Sequence, residues 1–321
     1  MTDIGLAHLH PEGAADHLEG VRAFNAAKRA AGGQRGPADL DELRRARAGV
    51  PSADPGSRAV ARVVRADGRE VGVRVTTPAT GAPRAAHLEI HGGGFYLGSA
   101  EAGDARNARL ADALGVAVVG VEYRLAPEHP WPAAPDDCET AARWLLGPGM
   151  AELGATRMTI GGASAGATLA VATLLRLRDG GGLGRVAGTV LRFGAYDLSG
   201  RSPGGRRYAD EWFIQAYAGH VADRTIPDVS PLYGDLRGLP PTLMLVGTLD
   251  VLLDDNLAMA ARLSGAGTDV DLRVYPEALH GFTSHPTTMA AFAMDGIAAW
   301  LRDRLRDEPP DGGGRGGGRT R

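Results

Sequence analysis

The sequence predicts an α/β architecture: a mostly parallel central sheet, opened by an antiparallel hairpin, with helices on both faces. Three observations predict it. From residue 86 onward, short apolar strands alternate with helix-length segments. The run Val116-Ala117-Val118-Val119-Gly120-Val121 is apolar without alternation, as a strand covered on both faces should be. The polar clusters with chemical potential fall just after strands, at the carboxyl ends where such sheets place their chemistry.

Composition sets the outer bounds. A chain of 321 residues can bury a sizeable core, as one large α/β domain or two small ones. Lys and Arg number 35 against 38 Asp and Glu, a net charge of −3, so no basic face is implied and nucleic acid is not an expected partner. The single cysteine, Cys138, excludes an internal disulfide framework and a multi-thiolate metal site. It reads as a small apolar filler near a helix start. No positively charged segment followed by an apolar stretch opens the chain, and no uncharged run is long enough for a membrane span. The expected location is cytoplasmic.

Taken in order, residues 14 to 50 read as helical, polar and alanine-rich. Val21, Phe24 and Ala27 recur at three-residue spacing, and Pro37 to Glu42 has the form of a helix start with acids in its first turn. This segment reads equally as a packed surface helix pair or as part of a lid. Ala59 to Ala66 and Glu70 to Thr76 alternate as β runs, and Asp67-Gly68 between them signals a hairpin. Ala86 to Ile90 is a short strand, Asp104 to Gly115 a helix and Val116 to Val121 a strand. The three prolines in Tyr123 to Ala134 forbid regular structure, so this is an ordered loop, buttressed by its Arg and Glu. A helix from Pro135 to Leu146 leads to a strand ending near Gly162, and Val186 to Phe193 is another strand. The segment Ser199 to Asp228 breaks the rhythm, first Gly/Arg-rich and then aromatic, and reads as an insertion above the sheet. The rhythm resumes with strand Thr242 to Val246, helix Asp255 to Ser264, strand Val270 to Tyr275 and helix Thr287 to Arg306. Residues 308 to 321 are too poor in apolar side chains to fold and are expected to be disordered.

The chain is organised around Gly162-Ala163-Ser164-Ala165-Gly166, where a strand meets a helix. A serine hydroxyl is a poor nucleophile. It needs a base within reach, and it must project from the backbone to meet a carbonyl. A sharp strand-to-helix turn projects it, glycines two residues either side make room for the crowded crossing, and the following helix aims its amides at the same point. Gly92-Gly93-Gly94 follows another strand. Such a loop is either merely flexible or turns its amides to a substrate oxygen; paired with the amide of Ala165 it would form an oxyanion hole. Asp250 and His280 each follow a later strand, in the order Ser, Asp, His of the α/β-hydrolase triad. His280 would take the serine proton and Asp250 would orient the imidazole. Asp254 and Asp255 are rivals to Asp250, but they sit where acids favour a helix start.

These motifs together resemble the hormone-sensitive-lipase family of α/β-hydrolases, the bacterial esterases with a His-Gly-Gly-Gly motif. The resemblance spans roughly residues 60 to 305. It rests on His91-Gly92-Gly93-Gly94-Phe95, Tyr123-Arg124-Leu125-Ala126-Pro127-Glu128, Ser164-Ala165-Gly166, Asp250-Val251-Leu252 and His280-Gly281-Phe282. It implies an α/β-hydrolase fold with a helical cap: cap helices over residues 1–50, a catalytic domain over 51–307 with a cap insertion at about 199–228, and the tail at 308–321. It also implies that Gly93, Gly94 and Ala165 supply the oxyanion amides and that His91 braces the glycine loop. Two positions depart from the family pattern. Ala163 stands where an acidic residue is usual, and Ala167 where a glycine is; neither supplies a triad atom.

The expected protein is a serine carboxylic-ester hydrolase acting on short- to medium-acyl esters through an acyl-enzyme, with no metal or organic cofactor. Phe95, Tyr96, Leu97, Trp212, Phe213 and Tyr217 are candidates for the substrate pocket; packing within the cap is an equal use of Trp212 and Phe213. The alternatives are a tailoring hydrolase of a thioester, amide or lactone, a dehydratase that keeps only the oxyanion hole, or a ligand-binding protein without turnover. The edge strand Val270 to Tyr275 could pair two copies across a two-fold axis.

Overall fold

The computed structural model describes residues 9–32, 36–37, 39–49, 56–208 and 210–306. The expected tail, residues 308–321, lies outside the described residues. In chain order the elements are helices α1 (Leu18–Ala30) and α2 (Leu40–Ala48), the hairpin β1 (Val60–Ala66) and β2 (Arg69–Thr76), and β3 (Ala86–Ile90). Then come α3 (Asp104–Leu114), β4 (Ala117–Glu122), α4 (Ala133–Trp144), α5 (Met150–Leu153), β5 (Met158–Ala163), α6 (Ala165–Asp179) and β6 (Val186–Arg192). The short α7 (Trp212–Ala218) lies in the insertion, and β7 (Thr242–Gly247), α8 (Leu253–Gly265), β8 (Val270–Tyr275) and α9 (Thr288–Arg304) complete the chain.

The strands form one eight-stranded sheet in the order β1-β2-β4-β3-β5-β6-β7-β8. β2 runs antiparallel to both β1 and β4, and every other pairing is parallel. Asp67 and Gly68 turn the hairpin with positive φ at both positions, as an Asp-Gly turn favours. The central strands are buried along almost their whole length. Two hydrophobic cores cover them. One packs α4, α6 and α8 with Ile214 and Tyr217 of the insertion; the other packs α3, α9 and Val21 of α1.

Several boundaries move by a residue or two from expectation, for local reasons. α4 starts at Ala133, which places Pro135 in its first turn, where a missing N–H costs nothing. α2 starts at Leu40, capped by Asp39, whose side chain accepts from Glu42 N at 2.8 Å. Cys138 is fully buried, and burial pushes its thiol pKa well up. The Tyr123–Ala134 loop is tied on three sides: Arg124 pairs with Asp137, Trp131 Nε1 donates to Asp228, and Glu128 receives Arg47. Among the described residues no helix is long and apolar enough to cross a membrane.

Candidate active site

β5 runs straight into α6, and Ser164 is the joint. Its backbone sits at φ 53°, ψ −121°, a region costly for a residue with a side chain. The amide of Ser164 is held by the Arg192 carbonyl at 2.8 Å, which fixes the turn to β6. The crossing is tight enough to require glycine on both sides. A Cβ at Gly162 would overlap the backbone of Gly166, and one at Gly166 would overlap the carbonyls of Ile90 and His91. A Cβ at Gly92 would stand 2.7 Å from the Ala163 oxygen, so the glycine loop presses against the same joint.

Three side chains from three strand ends meet here. Ser164 Oγ lies 3.0 Å from His280 Nε2. His280 Nδ1 lies 3.0 Å from both carboxylate oxygens of Asp250. A carboxylate can only accept, so Nδ1 carries the imidazole proton and Nε2 is left to accept from the serine hydroxyl. Asp250 is buried and its position is set by a second bond, from Leu252 N–H to Oδ1 at 2.8 Å. Phe193 stands edge-on to His280 at 5.2 Å. A hydroxyl, an imidazole and a buried carboxylate in this relay can deprotonate the hydroxyl as it attacks and hold the resulting imidazolium.

Neither rival acid joins them. Asp254 is half-buried and pairs with Arg207 at 3.1 Å. Asp255 is buried and turned away, accepting from Tyr208 Oη at 2.6 Å, Asp197 N at 3.2 Å and the amide of Tyr196. Burial pushes its pKa up to about 6 against these hydrogen bonds. Asp255 therefore anchors the loop after β6 and the insertion, in addition to lying in the first turn of α8.

The glycine loop faces Ser164 from β3. Among the described residues, the amides of Gly93, Gly94 and Ala165 have no hydrogen-bond acceptor within the protein, leaving three donors next to the serine. His91 Nδ1 donates to the Gly92 carbonyl at 2.8 Å and its ring stacks on Tyr123 at 4.1 Å. The Tyr123 hydroxyl in turn donates to the His91 carbonyl at 3.0 Å. Burial pulls the His91 pKa down to about 4, so at neutral pH the ring is an uncharged brace.

The aromatic candidates divide into two groups. Phe95 and Tyr217 are fully buried and stacked on each other at 3.9 Å, so in this conformation they offer no surface to a substrate. Tyr96, Leu97, Trp212 and Phe213 are half-buried. Tyr96 and Trp212 meet edge to face at 5.2 Å, and a Cβ on Gly94 would stand 2.7 Å from Tyr96 Cε1 and 3.3 Å from Phe213 Cβ.

Sequence reasoning missed a buried ionic cluster directly beneath this site. Glu89 on β3 pairs with Arg192 on β6, across β5, and with Arg106 of α3 at 3.1 Å. His87 links Glu89 at 3.2 Å to Thr159 at 2.8 Å. Burial alone would raise the Glu89 carboxyl, but Arg192 and Arg106 outweigh it and hold the pKa well below the ordinary carboxylate range. The signal was present: Glu89 and Arg192 are charges inside otherwise apolar runs.

A family model described as alpha/beta hydrolase fold matches residues 87–284. The chain belongs to the hormone-sensitive-lipase-like family of α/β-hydrolases. Among the relatives of this hydrolase, an ethyl acetate hydrolase of Pseudomonas putida is 36% identical over 230 residues, 67% of this chain and 72% of that protein. An acetyl-hydrolase of Streptomyces hygroscopicus is 38% identical over 201 residues, 60% of this chain and 66% of that protein. A solved hyperthermophilic esterase from the archaeon Pyrobaculum calidifontis is similar with a TM-score of 0.76 and 28% identity, covering 88% of this chain and 97% of that one.

Proposed function

We propose that this hydrolase cleaves short- to medium-acyl carboxylic esters through a covalent acyl-enzyme on Ser164. It is a carboxylic-ester hydrolase of the carboxylesterase type. The observation that carries the mechanism is the relay Asp250–His280–Ser164, with 3.0 Å at each link. Ser164 attacks the ester carbonyl while His280 Nε2 takes its proton. The oxyanion forms between the amides of Gly93, Gly94 and Ala165. The imidazolium, held by Asp250, returns the proton to the departing alcohol. Water then repeats the cycle on the acyl-enzyme, with His280 again the base.

Two supports favour a short acyl group. The relatives include an ethyl acetate hydrolase and an acetyl-hydrolase. Tyr96 and Phe213 also close on Gly94, which narrows the space beside the oxyanion donors. In this reading Tyr96, Leu97, Trp212 and Phe213 line the pocket, backed by Phe95 and Tyr217. The cap consists of the N-terminal helices and the insertion at about 199–228. Its contacts support this: Phe24 of α1 stacks on His285 at 4.3 Å, close behind His280, and Phe213 of α7 sits at Gly94.

A homodimer through the β8 edge is part of the same proposal. Among the described residues, Leu9 and His10 occupy the outward backbone groups of Val274, and the second copy would pair along the stretch near Val270 and Leu272. A cytoplasmic, reducing location suits a chain whose single cysteine is a buried free thiol.

The test is hydrolysis of p-nitrophenyl esters from acetate to laurate by the wild type and Ser164→Ala. The expected result is a wild-type rate highest at the short end and a loss of about 10⁴-fold or more in the variant. Full activity in the variant would exclude Ser164 as nucleophile. An inactive wild type would move the search to thioesters, amides and lactones.

A further inference from the structure

The glycine loop is wound through three consecutive left-handed residues. φ is +122° at Gly93, +61° at Gly94 and +66° at Phe95. Glycine accepts this freely, but Phe95 does not. A strained conformation persists only where the surroundings over-determine it.

Four restraints do so here. Leu97 N–H donates to the Gly93 carbonyl at 2.8 Å. The Phe95 ring is locked in the core against Tyr217. The Phe95 carbonyl accepts from Ala126 N–H at 2.9 Å. The fourth restraint comes from outside the sheet. Arg47, in the last turn of α2, donates Nε–H to the Tyr96 carbonyl at 2.9 Å. Its Nη2 donates to the Ala126 carbonyl at 2.7 Å, and the two Nη atoms grip Glu128 at 2.8 and 3.0 Å. One planar fork thus holds the carbonyl that follows the strained residue and the residue whose amide pins it. A lysine, with one nitrogen on a flexible stem, has no such fork.

We propose that Arg47 is a positioning residue for the oxyanion hole: docked from the N-terminal segment, it keeps the Gly93 and Gly94 amides aligned on the substrate oxygen, so that the hole is complete only when α2 is in place. This rests on the serine-esterase reading above. The consequence is that the N-terminal segment contributes to the chemical step as well as covering the site.

The experiment compares wild type, Arg47→Ala, Arg47→Lys and Glu128→Gln, with Ser164→Ala as the blank. Three quantities are read: kcat and KM for p-nitrophenyl acetate, and the rate of inactivation by a p-nitrophenyl phosphonate, whose adduct needs the same donors. For Arg47→Ala, kcat should fall about 10- to 100-fold with KM changed less than about threefold, and phosphonylation should slow in parallel. Added guanidinium at millimolar concentration should restore part of the lost rate. Arg47→Lys should lie between the two. Glu128→Gln should keep kcat within about threefold, because the bonds to Tyr96 and Ala126 remain. Should Arg47→Ala not fold, the Lys and Gln variants carry the comparison.

A raised KM with unchanged kcat would overturn the proposal, since Arg47 would then shape only the pocket. So would wild-type kinetics in Arg47→Ala, or an equal loss of kcat in Glu128→Gln. Wild-type activity in Ser164→Ala would instead sink the underlying reading.

Discussion

Burial decides the titration of Asp255. Desolvation favours its neutral form and carries its pKa from 3.8 to about 6, even though the amides of Tyr196 and Asp197 and the Tyr208 hydroxyl oppose this. The folded state therefore binds a proton more tightly than the unfolded chain between about pH 4 and 6. In that window stability from this group falls as pH rises, and above about pH 6 the ionised group is carried at full cost. Asp255→Asn, which keeps an acceptor for those donors and does not ionise, should remove this slope. The difference in melting temperature, variant minus wild type, should rise from pH 4 to 6 and then level off; a flat difference would refute the assignment. In the sequence, only the place of Asp255 in the first turn of a helix weighed against it. Both open the α8 region, and what distinguishes them is direction. Asp250 turns to His280, while Asp255 turns to the loop after β6. That Ser164, Asp250 and His280 would come together was legible from sequence, because each follows a recognisable strand.

At the scale of elements, three neighbouring strands, β3, β5 and β6, build the floor of the site. Gly161 on β5 leaves the space that His87 fills; a Cβ there would stand 2.8 Å from His87 Cε1. Glu89 and Arg192 then bridge from β3 to β6 across β5, with Arg192 Nε 3.5 Å from the Gly162 carbonyl. A buried ion pair adds little net stability but is costly to break, since the orphaned charge stays desolvated. Glu89→Gln should therefore destabilise the fold by about 3–5 kcal/mol, whereas Glu89→Leu with Arg192→Met should cost less, since the only cation then left without Glu89 is Arg106, whose side chain is 26% exposed. Urea unfolding of the three proteins measures this; a double variant worse than the single one would mean that the charges themselves are required. The alternation of strands and helices gave the sheet away in the sequence, because covered strands read as unbroken apolar runs. The ionic bridge did not, because its partners are 103 residues apart and only the strand order brings them together.

For the whole molecule, the sheet presents its carboxyl ends on one side, and everything that could cover that side comes from segments lacking strand rhythm. α1 holds the loop that carries His280: Arg22 pairs with Glu277, and Asn25 Nδ2 donates to the Glu277 carbonyl at 2.8 Å. α2 holds the glycine loop through Arg47, and the insertion brings Phe213 to Gly94. These tertiary roles were the least legible part of the chain. A polar, alanine-rich helix has the same sequence whether it lies on the surface or braces a loop, and only Asn25, Arg47 and Glu277 as contact partners tell the two apart. The pocket candidates followed the same rule. Their clustering was visible in the sequence, but which rings stay partly open depended on Phe95 and Tyr217 stacking inward.

On the proposed mechanism one covalent bond forms at one oxygen, Ser164 Oγ. Rapid-quench mass spectrometry with p-nitrophenyl acetate measures it directly. Wild type should show a pre-steady-state burst of p-nitrophenol and a transient acetyl group confined to the peptide containing Ser164, absent in Ser164→Ala. Turnover with no adduct on that peptide, or an acetyl group that persists at another residue in the variant, would exclude Ser164 as the nucleophile.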